Sequence, residues 1–277
     1  MLTAPPRLLL VHAHPDDETL CTGGTIARYA AVGVQVVLVT CTLGEEGEII
    51  PAQLGQLAAH AADQLGGYRV GELRAACAAL GVSDHRYLGG IGRWRDSGMV
   101  GTDANAHPRS LVAGDLAEQT AALVEILVEV RPQVVVTYGP DGGYGHPDHI
   151  RAHEITMAAC ALTQPARVFH TVSSRTAVNA GVAGLRDHAD LAGLPYRLPG
   201  PDELPGVADD VITTVLDVSD ALPAKVRALQ AHATQISVWP DGYALSNDVA
   251  QPILGREFFT LACGDPDGCA SDLFGGL

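Results

Sequence analysis

The chain has 277 residues, 47% of them hydrophobic and 18% charged, which gives enough aliphatic side chain for a sizeable core and too few charges for a disordered chain. A formal charge of −15, with the 17 Lys and Arg residues scattered, argues against nucleic acid or an anionic membrane surface as partner. No apolar run is long enough to span a bilayer, Leu8–Val11 is too short for a secretory signal, and the six cysteines form no C-x-x-C pair. The expectation is a protein of the reducing cytoplasm, with Cys41, Cys77 and Cys160 as small buried side chains.

Short β-branched runs alternate with helical patterns along the chain. Arg7–Val11 reads as a strand, Glu18–Val32 as a helix and Val34–Thr40 as a second strand. Gln53–Leu80 reads as helical, with Gly66-Gly67 a candidate break, and Arg86–Leu88 as a third strand. Gly89–Pro108 is too long for a passive connection. Helix Gly114–Val130, strand Val134–Tyr138, helix Pro147–Leu162 and strand Val168–Val172 follow. A Pro, Gly and Asp-rich stretch at Gly181–Gly206 precedes strand Val211–Val218 and helix Ala221–Ala233.

This alternation implies an α/β fold: a Rossmann-like, mostly parallel sheet with helices on both faces, plus a smaller C-terminal region. The division expected is a metal-binding catalytic domain at 1–175, a smaller region at 176–264 packed on it, and a mobile tail at 265–277.

In open α/β sheets, ligands collect beyond the carboxyl ends of the strands. Two clusters fall there: His12-Ala13-His14-Pro15-Asp16-Asp17-Glu18 after the first strand and Gly142-Gly143-Tyr144-Gly145-His146-Pro147-Asp148-His149 after the fourth. His14, Asp17 and His149 supply the three protein ligands typical of catalytic zinc. Two histidines and a carboxylate also suit Fe2+. Asp16, beside a ligand, can take a proton from the attacking water. His146 can protonate the leaving amine or steady the oxyanion, Asp148 can tune its basicity, and Tyr144 can swing toward the oxyanion. The bland alternative is that Asp16 or Asp17, with Glu18, is an ordinary helix N-cap. His12 is expected to hydrogen-bond near the metal, and His60, His153 and His232 read as core or surface histidines. With no G-x-G-x-x-G after the first strand, a Rossmann oxidoreductase is disfavoured.

These motifs resemble those of the LmbE-like, or N-acetylglucosaminyl-phosphatidylinositol de-N-acetylase, family. T-C-T-L-G-E-E-G-E at 40–48, G-G-Y-R at 66–69, G-R-W-R-D-S-G-M at 92–99 and G-G-Y-G-H-P-D-H at 142–149 are similar to its mycothiol-pathway branch. The resemblance implies one zinc per subunit on His14, Asp17 and His149, Asp16 as general base, His146 as general acid or electrostatic partner, and Tyr144 as a mobile tyrosine polarising the carbonyl. It further implies that Arg69 and Asp96 hold the hydroxyls of an amino-sugar inositol substrate, with Glu48 reaching the same pocket. The plainer alternative for Arg69 and Asp96 is a surface ion pair, and for Glu48 a solvated side chain. The implied reaction is deacetylation of N-acetylglucosaminyl-inositol. Amidase action on mycothiol S-conjugates is the nearest alternative, disfavoured by Cys21 where that sister enzyme tends to carry Lys. A noncatalytic sugar- or metal-binding protein is a more distant one. Oligomeric state is not legible.

Overall fold

A computed structural model describes residues 5–187, 195–200 and 203–277. Part of the Gly181–Gly206 stretch lies outside them. Seven strands form the main sheet, in the order β3-β2-β1-β4-β5-β10-β6. They are β1 (Arg7–His12), β2 (Gln35–Thr40), β3 (Asp84–Tyr87), β4 (Val134–Tyr138), β5 (Arg167–Val172), β6 (Thr214–Asp217) and β10 (Arg256–Gly264). The first five pair in parallel, and β10 runs antiparallel to both β5 and β6.

Alternation along the inner strands sends side chains into two cores. Leu8 and Leu10 of β1, with Val36 and Leu38 of β2, pack with α1 (Asp17–Ala31), α2 (Leu65–Leu80) and α6 (Leu222–Ala231). Leu9 and Val11, with Val37 and Val39, pack with α3 (Leu116–Val130) and α4 (Pro147–Thr163). The strands are therefore apolar on both faces, as the continuous hydrophobic runs require.

The mostly parallel α/β architecture with helices on both faces is present as expected. Gln53–Leu80 is not one helix: a 3-10 segment at Ala52–Leu57 and turns precede α2, which starts at Leu65. Helix α5 (Arg175–Asp187) and strand β10 were not anticipated. Strand β10 ties the C-terminal part into the main sheet, so the sheet itself crosses the boundary expected at 175. A small antiparallel sheet is separate, built of β7 (Ser237–Trp239), β8 (Gly242–Ala244) and β9 (Ala250–Pro252).

The tail expected to be mobile packs down instead. Cys269 and Leu273 are buried in the core shared with α1, and the Arg167 guanidinium donates to the carbonyls of Asp265, Asp267, Leu273 and Gly275. Phe274 also packs against this core, and the Tyr29 hydroxyl donates to Asp272 and accepts the Leu273 N–H. Among the described residues, no helix is long and apolar enough to cross a membrane.

Strand order reverses between β1 and β4, and a topological switch point leaves a crevice at the strands' carboxyl ends. Helix α1 starts on one side of that crevice and α4 on the other. Helix α1 approaches the C-terminal part closely: a Cβ added at Gly24 would stand 2.6 Å from Val218 Cβ.

Candidate active site

Both motifs meet in the crevice. His14 follows β1, and its Nδ1 lies 3.2 Å from Asp17 Oδ2. His149, in the first turn of α4, brings its Nε2 to 3.3 Å from the same oxygen. All three residues are buried.

Hydrogen bonding on the far side of each ring decides what faces inward. His149 Nδ1 is 3.1 Å from the Gly142 carbonyl, an acceptor, so Nδ1 carries the proton and Nε2 presents its lone pair. That buried Nε2 has no hydrogen-bond partner among the described residues. His14 Nε2 lies 3.2 Å from Asp148 Oδ2 and 3.4 Å from Asp96 Oδ1, so its proton belongs on that side and Nδ1 faces Asp17. Two ring nitrogens thus converge on one Asp17 oxygen, which also accepts the His14 backbone N–H at 2.9 Å, and the buried His149 Nε2 left without a hydrogen bond suits a cation. The outward N–H bonds are the usual way a protein orients metal-binding histidines. His146 also presents a ring nitrogen within 4.8 Å of His14 and His149. Burial works against the charged form of Asp17, yet His149 and His14 beside it hold its carboxyl well below the usual range.

Asp16 stands next to this centre in a costly conformation. Its φ is 117°, where a non-glycine residue pays on the order of 1–3 kcal/mol. It occupies the N-cap position of α1, but its side chain makes no capping bond. The carboxylate instead lies 3.0 Å from Arg69 Nη2. Burial pushes the Asp16 carboxyl up to about 6, against the pull of Arg69 and with the repulsion of Asp17. The ordinary N-cap reading therefore fails for Asp16.

His146 caps α4, its Nδ1 accepting the Asp148 N–H at 3.1 Å. Burial, reinforced by His14 and His149, lowers its pKa to about 3, so the ring is neutral with its proton on Nε2. Tyr144 is exposed on a loop where Gly142, Gly143 and Gly145 all have positive φ, and its ring centroid is 5.0 Å from that of His149.

Three expectations change. The Asp148 carboxylate is not hydrogen-bonded to His146; it faces His14 and accepts the Ser97 N–H at 2.9 Å, while His146 lies outside α4 as its N-cap. Arg69 is 2% exposed; its Nη groups hold the Gly44 and Pro15 carbonyls and Asp16, and its buried Nε has no hydrogen-bond partner among the described residues. Asp96 accepts the Glu46 and Gly98 N–H groups and faces His14, so it too is held within the protein. Glu48 is exposed on the loop after β2.

His12 is buried, 2.9 Å from Thr22 Oγ1 and 3.3 Å from the Tyr138 hydroxyl, and burial lowers its pKa to about 4. Sequence reading passed over two further groups. Glu18 and His232 form a fully buried pair at 2.7 Å. Lys225 and Glu257 form another, Glu257 also accepting the Gly24 and Thr25 N–H groups of α1. Both pairs join residues more than thirty positions apart, beyond the reach of any local motif.

The switch-point crevice thus gathers His14, Asp17 and His149 at the carboxyl ends of the strands. Residues 9–160 match the family described as GlcNAc-PI de-N-acetylase, and the chain belongs to that family of amide hydrolases. Over its whole length the chain is 68% identical to the 1D-myo-inositol 2-acetamido-2-deoxy-alpha-D-glucopyranoside deacetylase of Actinosynnema mirum, covering 99% of that protein. The deacetylase 1 of that name from Saccharopolyspora erythraea is 62% identical, with 100% of this chain and 96% of the relative covered. The fold is also that of the N,N'-diacetylchitobiose deacetylase from Pyrococcus horikoshii, with a TM-score of 0.53 at 22% identity, over 85% of this chain and 71% of that one.

Proposed function

We propose that this protein hydrolyses the acetamide of N-acetylglucosaminyl-inositol, giving glucosaminyl-inositol and acetate, with one divalent cation on His14, Asp17 and His149. The observation that carries the reading is the convergence of His14 Nδ1 and His149 Nε2 on one Asp17 oxygen, with Asp16 beside it. Relatives bearing that deacetylase name at 68% and 62% identity support the choice of substrate. Zinc, or ferrous iron in a reducing cell, supplies Lewis-acid polarisation of the amide carbonyl and lowers the pKa of water toward 7.

The chain's own groups do the rest. Asp16 takes the proton from the attacking water, and Arg69 keeps that carboxylate aimed and ionised. The neutral His146 donates Nε2–H to the oxyanion, while Tyr144, free to move on its glycine loop, donates its hydroxyl from the open side. His146 is committed as a neutral donor, so the proton returned to the leaving amine comes from Asp16, which has just received one. Asp148 and Asp96 act through His14 as positioning groups. The polyol end of the substrate is assigned to Glu48, which is exposed on the loop after β2.

Acetate release from N-acetylglucosaminyl-inositol, measured with and without a chelator, tests the proposal. Turnover that disappears with chelation and returns with zinc or ferrous iron is expected. Faster turnover of a bimane conjugate of mycothiol would move the assignment to the sister amidase reaction, and no acetate under either metal would sink it.

A further inference from the structure

We infer that Glu18 and His232 form a positioning pair that holds the Asp16 backbone in its productive corner; the catalytic part of this inference rests on Asp16 being the base. Asp16 N–H donates to Glu18 Oε2 at 2.9 Å. The other carboxylate oxygen, Oε1, accepts from the Thr19 hydroxyl and lies 2.7 Å from His232 Nε2. Glu18 and His232 are both 0% exposed.

A capping carboxylate alone does not explain this geometry. In the common capping box the acid that reaches back to the N-cap amide sits at the third helical position. Glu18 sits at the second position of α1, a residue nearer, and grips an N-cap residue with φ of 117° whose own side chain makes no capping bond. A buried carboxylate in that place needs a strong donor, and the donor comes from the far end of the chain. His232 stands just past α6, where its carbonyl accepts the Gln235 and Ile236 N–H groups at 3.0 and 2.9 Å, so its ring is carried on a fixed turn. Helix α6 packs on α1 and α2 through the core. The pair therefore couples the position of the base to the seating of the C-terminal part on the sheet.

The test uses the full-length zinc-loaded chain and three variants, His232→Ala, His232→Gln and Asp16→Asn. Removing the grip on Glu18 is expected to lower kcat for acetate release about 10- to 100-fold, with KM and zinc content unchanged. His232→Gln, which can still offer an N–H to Glu18, is expected to recover most of the rate. Independently of activity, the Asp16 amide proton is expected to move upfield in NMR spectra of His232→Ala, in both metal-free and zinc-loaded protein. An unmoved Asp16 amide together with wild-type kcat would overturn the pair, as would a loss confined to zinc content or KM. Should His232→Ala not fold, Glu18→Gln takes its place, with the same two readouts and the same expected changes. Full activity of Asp16→Asn would instead remove Asp16 as base, and the amide shift would still report whether the pair holds it.

Discussion

Asp148 Oδ2 lies 3.2 Å from His14 Nε2, on the side of that ring opposite Asp17. The carboxylate thus fixes which nitrogen of His14 is free for a cation. Asp148→Asn is expected to weaken zinc retention about 10- to 100-fold, measured by competition with a chromogenic chelator. The His146 cap should survive, because it is made by the Asp148 backbone N–H. Unchanged zinc affinity with reduced kcat would return Asp148 to a role on His146.

Acidification should slow the enzyme through Asp16. Its carboxyl is raised to about 6 by burial, and a base works only when deprotonated, so kcat/KM is expected to fall with unit slope as pH drops through that region. A bound cation favours the carboxylate, so the acid limb sits at or below that value. Arg69 pulls in the same direction as the cation. Arg69→Met is therefore expected to move the acid limb to higher pH, read from log kcat/KM against pH. A limb that stays put would detach Arg69 from the base.

Lys225 and Glu257, 2.7 Å apart and both buried, fasten α6 and β10 to α1. Lys225→Met leaves a buried carboxylate without its counter-charge, an imbalance that costs about 3–5 kcal/mol. A matching fall in the urea midpoint is expected. The double variant Lys225→Met, Glu257→Gln should recover part of that loss.

Leu273 anchors the C-terminal segment with no exposed surface. Leu273→Ala is expected to destabilise the chain by about 2–5 kcal/mol in urea unfolding. A change within error would mean that residues 265–277 contribute little to the core despite Arg167's hold on their carbonyls.

What was legible in the sequence tracks how locally each feature is encoded. Strands β1, β2 and β4 are continuous apolar runs, and His14, Asp17 and His149 lie in short motifs at strand ends, so both the sheet and the meeting of the two loops could be anticipated. Asp148 was misplaced because nearness to His146 in sequence says nothing about which way each side chain points. Helix α5 carries Gly181 and Gly184 in its interior, which lowers its helix propensity; Gly181 lets the backbone approach Pro252, whose Cβ would stand 2.7 Å from an added Cβ. Strand β10 is only half-buried and gains its partners from β5 and β6, so its alternation is weak until those strands are in place. His232 looked ordinary because its meaning depends on Glu18, 214 positions earlier.

The backbone corner at Asp16 sets folding and chemistry against each other. With φ at 117°, that position favours glycine on conformational grounds, and Asp16→Gly would relax the chain while deleting the carboxylate. Selection of a variant library for heat tolerance alone would drift toward glycine at position 16 and lose turnover in the process. A screen that scores melting temperature and acetate release together would keep the aspartate.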